Sequence, residues 1–203
     1  MLDGRMRRVI DPPVDRAGLW LARRGVDANM VTLVGLAFGL IAACLVAGGL
    51  AGWLIVVPLL LGRIADGLDG AVARATAKTD FGGFFDIACD FLFYGAFPFA
   101  FVVLDVTANG IAGAFLLLSF YVNGTTFLGY AVLAEKAGMQ TSSRGEKSLY
   151  FTAGLLEGTE TIMFFIVIAL RPDWFAPLAW GFGAACFVTA GARLVLARRV
   201  FRG

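Results

Sequence analysis

The chain has 203 residues, of which 59% are hydrophobic and 16% charged, with 17 basic against 15 acidic side chains and a formal net charge of +2. A mean hydropathy of +0.81 excludes a water-soluble globular domain, for which about 45–50% apolar residues are typical. Histidine is absent, so imidazole acid–base chemistry and imidazole metal ligation are excluded, and carboxylates remain as bases and hard-cation ligands.

Residues 1–29 form the first unit, basic with six arginines and interrupted by Pro12-Pro13. Asp11 can cap a short helix with both prolines in its first turn, where a missing N–H does no harm. Val14, Ala17, Trp20 and Leu21 then fall broadly to one side, with Arg16, Arg23 and Arg24 around them. The pattern predicts an amphipathic helix lying in the cytoplasmic membrane interface, with a solvated basic tail as the alternative. A cleavable signal peptide is not expected, because the apolar stretch is too short and too far along the chain.

Six apolar runs follow, at about 30–49, 53–73, 82–104, 111–134, 148–170 and 174–197, each near the roughly 20 residues that a spanning helix needs. They predict an all-α polytopic membrane domain of six transmembrane helices over residues 30–203, with no separate soluble domain. Arg74 and Lys78 lie between the second and third runs, and Lys136, Arg144 and Lys147 between the fourth and fifth. Arg198, Arg199 and Arg202 follow the sixth run, whereas the opposite side carries little beyond Arg171. The positive-inside rule then puts both termini in the cytoplasm. Basic ends that flank membrane spans suit anionic lipid headgroups, and no nucleic-acid partner is expected. Cys44, Cys89 and Cys186 are scattered in apolar runs without C-x-x-C spacing, so they are expected to be buried packing residues.

The chemistry-bearing stretch begins Asp66-Gly67-Leu68-Asp69-Gly70-Ala71-Val72-Ala73-Arg74 and continues, seven residues later, as Gly82-Gly83-Phe84-Phe85-Asp86-Ile87-Ala88-Cys89-Asp90. Asp66 and Asp69 share one helix face at i, i+3, and Asp86 and Asp90 share one at i, i+4. The short connection over 74–81 makes the two helices antiparallel neighbours, so the four carboxylates can meet in one pocket at the cytoplasmic end. Carboxylates in a membrane span are costly, and such residues face water, a cation or a partner. All-oxygen coordination suits Mg²⁺, Mn²⁺ or Ca²⁺. Gly67, Gly70, Gly82 and Gly83 leave room for close approach, and Arg74 can pair with a phosphate. Metal, cation and spare carboxylate are the parts of metal-assisted phosphoryl transfer. A structural cation, or a divalent-cation transporter or channel using the same acids, is the competing reading.

The pattern D-x-x-D-G-x-x-A-R, then G-x-x-x-D-x-x-x-D, resembles the signature of the CDP-alcohol phosphotransferases, membrane enzymes that include the phosphatidyltransferases of phospholipid synthesis. Seven residues separate Arg74 from Gly82, one fewer than is common in that family. With Glu157-Gly158-Thr159-Glu160-Thr161 in the fifth run, the chain looks most like a bacterial branch, which implies a bacterial inner membrane with the active site facing the cytoplasm. The resemblance also implies a six-helix homodimer using one or two Mg²⁺ or Mn²⁺ ions held by Asp66, Asp69, Asp86 and Asp90. Gly70, Ala73 and Arg74 would border the cytidine diphosphate, and Asp90 would act as general base. A CDP-linked lipid donor, CDP-diacylglycerol in the phosphatidyltransferases, would give its phosphatidyl group to a small alcohol acceptor with release of CMP. Some relatives instead move a CDP-linked headgroup onto a diacylglycerol.

Asn29 and Thr32 open the first run where the family often shows P-N-x-x-T, and here Ala28 replaces the proline. Nucleotide contact and helix capping explain Asn29 equally well. Glu157 and Glu160 face the bundle interior, where they bind hydroxyls or an amine of the acceptor or pair with Arg63 or Arg193. Arg144 and Lys147 would favour a phosphorylated acceptor. Asn123, Thr125 and Thr126 either line the cavity or join helices by hydrogen bonds. Gly35-x-x-x-Gly39 and Gly154-x-x-x-Gly158 permit close helix contact, the dimer seam included. No P-loop, Rossmann glycine pattern or nucleophile elbow is present.

Overall fold

A computed structural model of the chain describes residues 3–139, 156 and 158–201. These are all-α: α1 (Asp3–Arg23), α2 (Ala28–Ala47), α3 (Gly52–Ala75), α4 (Asp80–Leu104), α5 (Val106–Lys136), α6 (Gly158–Leu170), a 3₁₀ turn at Pro172–Trp174, and α7 (Phe175–Val200). Among the described residues four stretches are long and apolar enough to cross a membrane: Ala28–Ala47, Asp80–Leu104, Val106–Lys136 and Pro172–Val200. Helix α3 has the length, at 24 residues, but its second half carries Arg63, Asp66, Asp69 and Arg74. The fifth apolar run is described only from Gly158 onward. Arg144, Lys147, Glu157, Gly154 and Arg202 lie outside the described residues.

The core is built on a ladder of aromatic rings. Phe93, Phe97 and Phe101 recur every four residues along α4 and are fully buried, so one face of that helix presents a continuous aromatic stripe. Phe165 of α6 packs on Phe97 with ring centroids 4.7 Å apart, and Phe175 of α7 stacks on Phe101 at 4.7 Å. Helix α2 crosses α3 at Gly35 and Gly62, where a Cβ on Gly62 would stand 3.0 Å from the Gly35 carbonyl oxygen and one on Gly35 3.2 Å from that of Gly62. Only glycine allows backbones so close. Gly39 is filled in the same way by the Phe93 ring, 2.6 Å from an added Cβ. Both glycines of this pair therefore face neighbours within the chain, and they are not available to a dimer seam.

Two further expectations change. Helix α1 does not begin at Asp11: it runs from Asp3 through Pro12 and Pro13 to Arg23, with the prolines inside, where each gives up one backbone hydrogen bond while keeping a helical φ. Nor is it a free basic tail. Gly18 sits on the Ala71 backbone of α3, and Leu21 and Ala22 pack against a small cluster of Val31, Ala65 and Val72. Cys89 and Cys186 are buried as expected, but Cys44 is exposed, because it lies on the outward face of α2.

Candidate metal and phosphate site

The sequence carries Asp66 and Asp69 near the end of α3 and Asp86 and Asp90 near the start of α4. Only residues 76–79 join the two helices, so both pairs stand at the same end of the bundle. Thr79 fixes the start of α4 by accepting a hydrogen bond from the Gly82 amide at 3.0 Å, an N-cap that satisfies an otherwise orphaned N–H. The result is a trio: Asp66, Asp69 and Asp86 each offer a carboxylate oxygen, all within 4.8 Å of one another. A donor set of three carboxylates in a pocket that backbone glycines leave open fits a hard divalent cation. Asp69 is 5% exposed, and burying a carboxylate among other acids requires a compensating positive charge or hydrogen bonds.

Asp90 stands apart from the trio. Its Oδ1 accepts a hydrogen bond from Arg63 Nη1 at 3.0 Å, and the same nitrogen lies 3.6 Å from Asp66 Oδ2. Arg63, whose side chain is 15% exposed, is held over the Phe93 ring at 4.4 Å and lies 5.9 Å from the Tyr94 ring centroid. Sequence reasoning offered Arg63 only as a partner for Glu157 or Glu160. Its spacing three residues before Asp66 is the signal that could have found it.

Thr32 reaches the acids from α2. Its hydroxyl donates to Asp69 Oδ2 at 2.6 Å, a length typical of a charge-assisted O–H···O⁻ bond, and it lies 3.1 Å from the Ala28 carbonyl. A hydroxyl has one proton, and the shorter contact with the carboxylate is the stronger. Thr32→Val keeps the volume and removes that donor. It is expected to weaken divalent-cation binding about 10–100-fold, as outer-shell changes do, with little change in melting temperature. Mn²⁺ titration of the purified variant measures it, and wild-type affinity would remove Thr32 from the site.

Asn29 is not the cap of α2. The N-cap is Asp27, and Asn29 lies inside the first turn with its Oδ1 3.3 Å from where a Gly82 Cβ would be. It therefore reaches the start of α4, beside the acids. Arg74 projects at the end of α3, with Gly70 leaving room for its guanidinium 3.3 Å from an added Cβ. It is already engaged: Nη2 pairs with Asp15 of α1 at 2.6 Å, both side chains being about half exposed. Ala73 is half-buried next to it. A Cβ at Gly83 would meet nothing within 4 Å, so the start of α4 is uncrowded there.

Glu160 stands half-buried in the first turn of α6. That turn approaches the acids through Gly158, where a Cβ would lie 3.9 Å from the Tyr94 hydroxyl. Arg193 has partners of its own on α5. Its Nη1 bonds the Asn123 carbonyl, Asn123 Oδ1 and Thr126 Oγ1 at 2.9–3.0 Å, joining α7 to α5. Thr125 turns back to the Tyr121 carbonyl of its own helix. For Asn123 and Thr126, helix-to-helix bonding is the role observed.

Apolar helices long enough to cross a bilayer, with carboxylates from adjacent helices gathered at one end, define a multi-pass membrane protein with an acidic site. Residues 26–191 match the CDP-alcohol phosphatidyltransferase family, and the chain belongs to that family. It is 42% identical over 196 residues to the inner membrane protein YnjF of Escherichia coli strain K12, covering 96% of this chain and 94% of that one. It is 30% identical over 174 residues to the archaetidylinositol phosphate synthase of Pyrococcus horikoshii, covering 81% of this chain and 88% of the relative. Membership makes the chain a membrane phosphotransferase of phospholipid synthesis. The family uses CDP-linked donors, alcohol acceptors and divalent metal ions, and the trio of acids could hold one.

Proposed function

We propose that the protein transfers a phosphatidyl group from CDP-diacylglycerol to a small alcohol, releasing CMP, in a reaction that depends on Mg²⁺ or Mn²⁺. The observation that carries this reading is the convergence of Asp66, Asp69 and Asp86 within 4.8 Å, with Asp90 held alongside at 3.0 Å from Arg63. A cation bound by the trio would neutralise the donor's diphosphate and offset the charge that builds on the departing CMP.

The remaining work falls to the side chains. Asp90 gives one oxygen to Arg63 and keeps the other for the acceptor's hydroxyl proton. The deprotonated oxygen forms the bond to the β-phosphorus, the bond from that phosphorus to the bridging oxygen breaks, and CMP leaves with the electron pair. Gly70 and Ala73 border the nucleotide, and Asn29 reaches the same end of the pocket. Arg74 would exchange Asp15 for a donor phosphate, a bidentate partner that suits a guanidinium better than a half-exposed carboxylate.

A six-span arrangement, with α3 as the second span and its charged half at the cytoplasmic headgroups, would give the donor access from the cytoplasmic leaflet. Both termini would then lie in the cytoplasm, with α1 in the interface, as the Lys and Arg pattern favours. The inner-membrane relative supports a bacterial inner membrane, and a homodimer is the assembly that the family favours. The Pyrococcus relative's name puts a phosphorylated inositol at the head of the acceptors, which Arg144 and Lys147 would suit, with Glu157 and Glu160 toward its hydroxyls. A cation-transport pathway is disfavoured, since a guanidinium fixed between two of the acids would obstruct it.

The test is CMP release by the purified protein with CDP-diacylglycerol, Mn²⁺ or Mg²⁺, and a panel of acceptors. The panel holds inositol phosphate, glycerol 3-phosphate, inositol, serine, glycerol, choline and ethanolamine. Release with one acceptor, abolished by a chelator, is expected. Silence throughout, with activity restored by a CDP-linked headgroup and diacylglycerol, would overturn the donor, and silence with both donors would overturn the transferase.

A further inference from the structure

Helix α1 lies along the last turns of α3, and glycines set how close it comes. A Cβ on Gly67 would stand 4.0 Å from Val14 Cγ1, and one on Gly18 would stand 2.8 Å from the Ala71 carbonyl carbon. Only glycine tolerates the second approach. Val14 and Gly18 are four residues apart and face α3 together, and Asp15 beside them reaches the end of α3. Its Oδ1 accepts a hydrogen bond from Arg74 Nη2 at 2.6 Å. The Arg74 guanidinium meanwhile folds back over Gly70, with Nη1 3.3 Å from where a Cβ would be, next in sequence to Asp69 of the metal trio. The side chains of the pair are 48% and 54% exposed, so water screens the attraction and the bond is weak. A diphosphate carries more charge than one carboxylate and presents several oxygens to the guanidinium fork, so it outcompetes Asp15. With α1 seated on α3 at Gly18, a displaced Asp15 stays within reach of Arg74 and competes at a high effective concentration.

We propose that Asp15 is a built-in competitor for Arg74: it holds the guanidinium until a nucleoside diphosphate displaces it, and takes it back when the phosphate leaves. Asp15 touches no reacting atom. It acts only through Arg74, as a positioning residue that sets how tightly the donor is held and how readily the site empties. Helix α1 is then part of the donor site. The inference rests on the reading of this end of the bundle as the place where a CDP-linked donor binds.

Calorimetric titration of CDP into the full chain in detergent, with saturating Mn²⁺, tests it. Asp15→Asn is expected to bind CDP about two- to fivefold more tightly than the wild-type protein, the size of an exposed ion pair, and Asp15→Glu, which keeps the charge, to match the wild type. In an Arg74→Gln background the gain is expected to vanish, because the carboxylate then has nothing to compete for. Unchanged or weaker binding by Asp15→Asn would overturn the proposal and make Asp15 a support for Arg74. A gain that survives in the Arg74→Gln background would overturn it too, since it would come from charge at a distance. Wild-type protein that binds CDP and releases CMP on turnover, with Asp15→Asn binding CDP no better, would leave the transferase standing and sink this inference alone. No CDP binding by any of these proteins would sink both.

Discussion

Asp90→Asn is expected to slow CMP release about 10²–10⁴-fold, the range that a positioned general base contributes, while leaving a folded protein that still binds Mn²⁺. The substitution is nearly isosteric, and the amide oxygen can still accept from Arg63, so the 3.0 Å link between α3 and α4 survives in neutral form. What disappears is the anionic oxygen that would take the acceptor's proton. Because Asp90 lies outside the group of acids within 4.8 Å of one another, metal affinity and turnover should part company in this variant. CMP release and Mn²⁺ titration on one preparation check both. Near-normal turnover would remove Asp90 as the base, and loss of the metal together with turnover would make it a ligand instead.

Asp69→Asn should fail in the other way, losing metal and activity together. Asp69 is the most buried of the four acids, 5% exposed, and its Oδ2 is already oriented by Thr32 at 2.6 Å. Replacing it removes one of three anionic ligands from a preorganised set. The fall in Mn²⁺ affinity should exceed the roughly 10–100-fold typical of an outer-shell change. Excess Mn²⁺ should recover activity only in part, because the two remaining carboxylates hold an ion less firmly in place. Wild-type Mn²⁺ affinity in an inactive Asp69→Asn protein would show that the cation is held elsewhere. Together the two variants distinguish a ligand from a base among side chains of identical chemistry.

The pairs Asp66/Asp69 and Asp86/Asp90 were legible because helical periodicity alone puts each pair on one face, and a four-residue linker (76–79) cannot carry α4 far from α3. Apolar runs likewise located helices: 53–73 became Gly52–Ala75, while 111–134 became Val106–Lys136, which starts five residues earlier. What escaped depends on contacts between distant positions. Thr32 and Asp69 are 37 residues apart, and nothing in a threonine near a helix start announces a carboxylate partner. Arg63 precedes Asp66 by three residues, which hints at a pair, but its link to Asp90 spans 27 residues and its setting is made by Phe93 and Tyr94 on another helix. The partner of Arg74 was missed because Asp15 lies 59 residues earlier, on a helix expected to rest on lipid rather than on α3. Helix α1 itself was cut short because Pro12-Pro13 reads as a start signal, and the same fixed φ is compatible with a helix interior.

The crossing of α2 and α3 at Gly35 and Gly62 works as a hard stop. Side chains between two helices compress, change rotamer and differ in size, but here the separation is fixed by peptide groups, with 3.0 Å between the Gly35 oxygen and where a Gly62 Cβ would be. Three residues before Gly35 stands Thr32, and seven after Gly62 stands Asp69, so the 2.6 Å bond between them inherits its tolerance from that stop. Exposed apolar residues such as Leu33, Val34, Leu61 and Ile64 on these same two helices can therefore grow or shrink without the site registering it. A single methyl group at either glycine, by contrast, would be read out as enzymology: a packing change that presents itself as a lost metal.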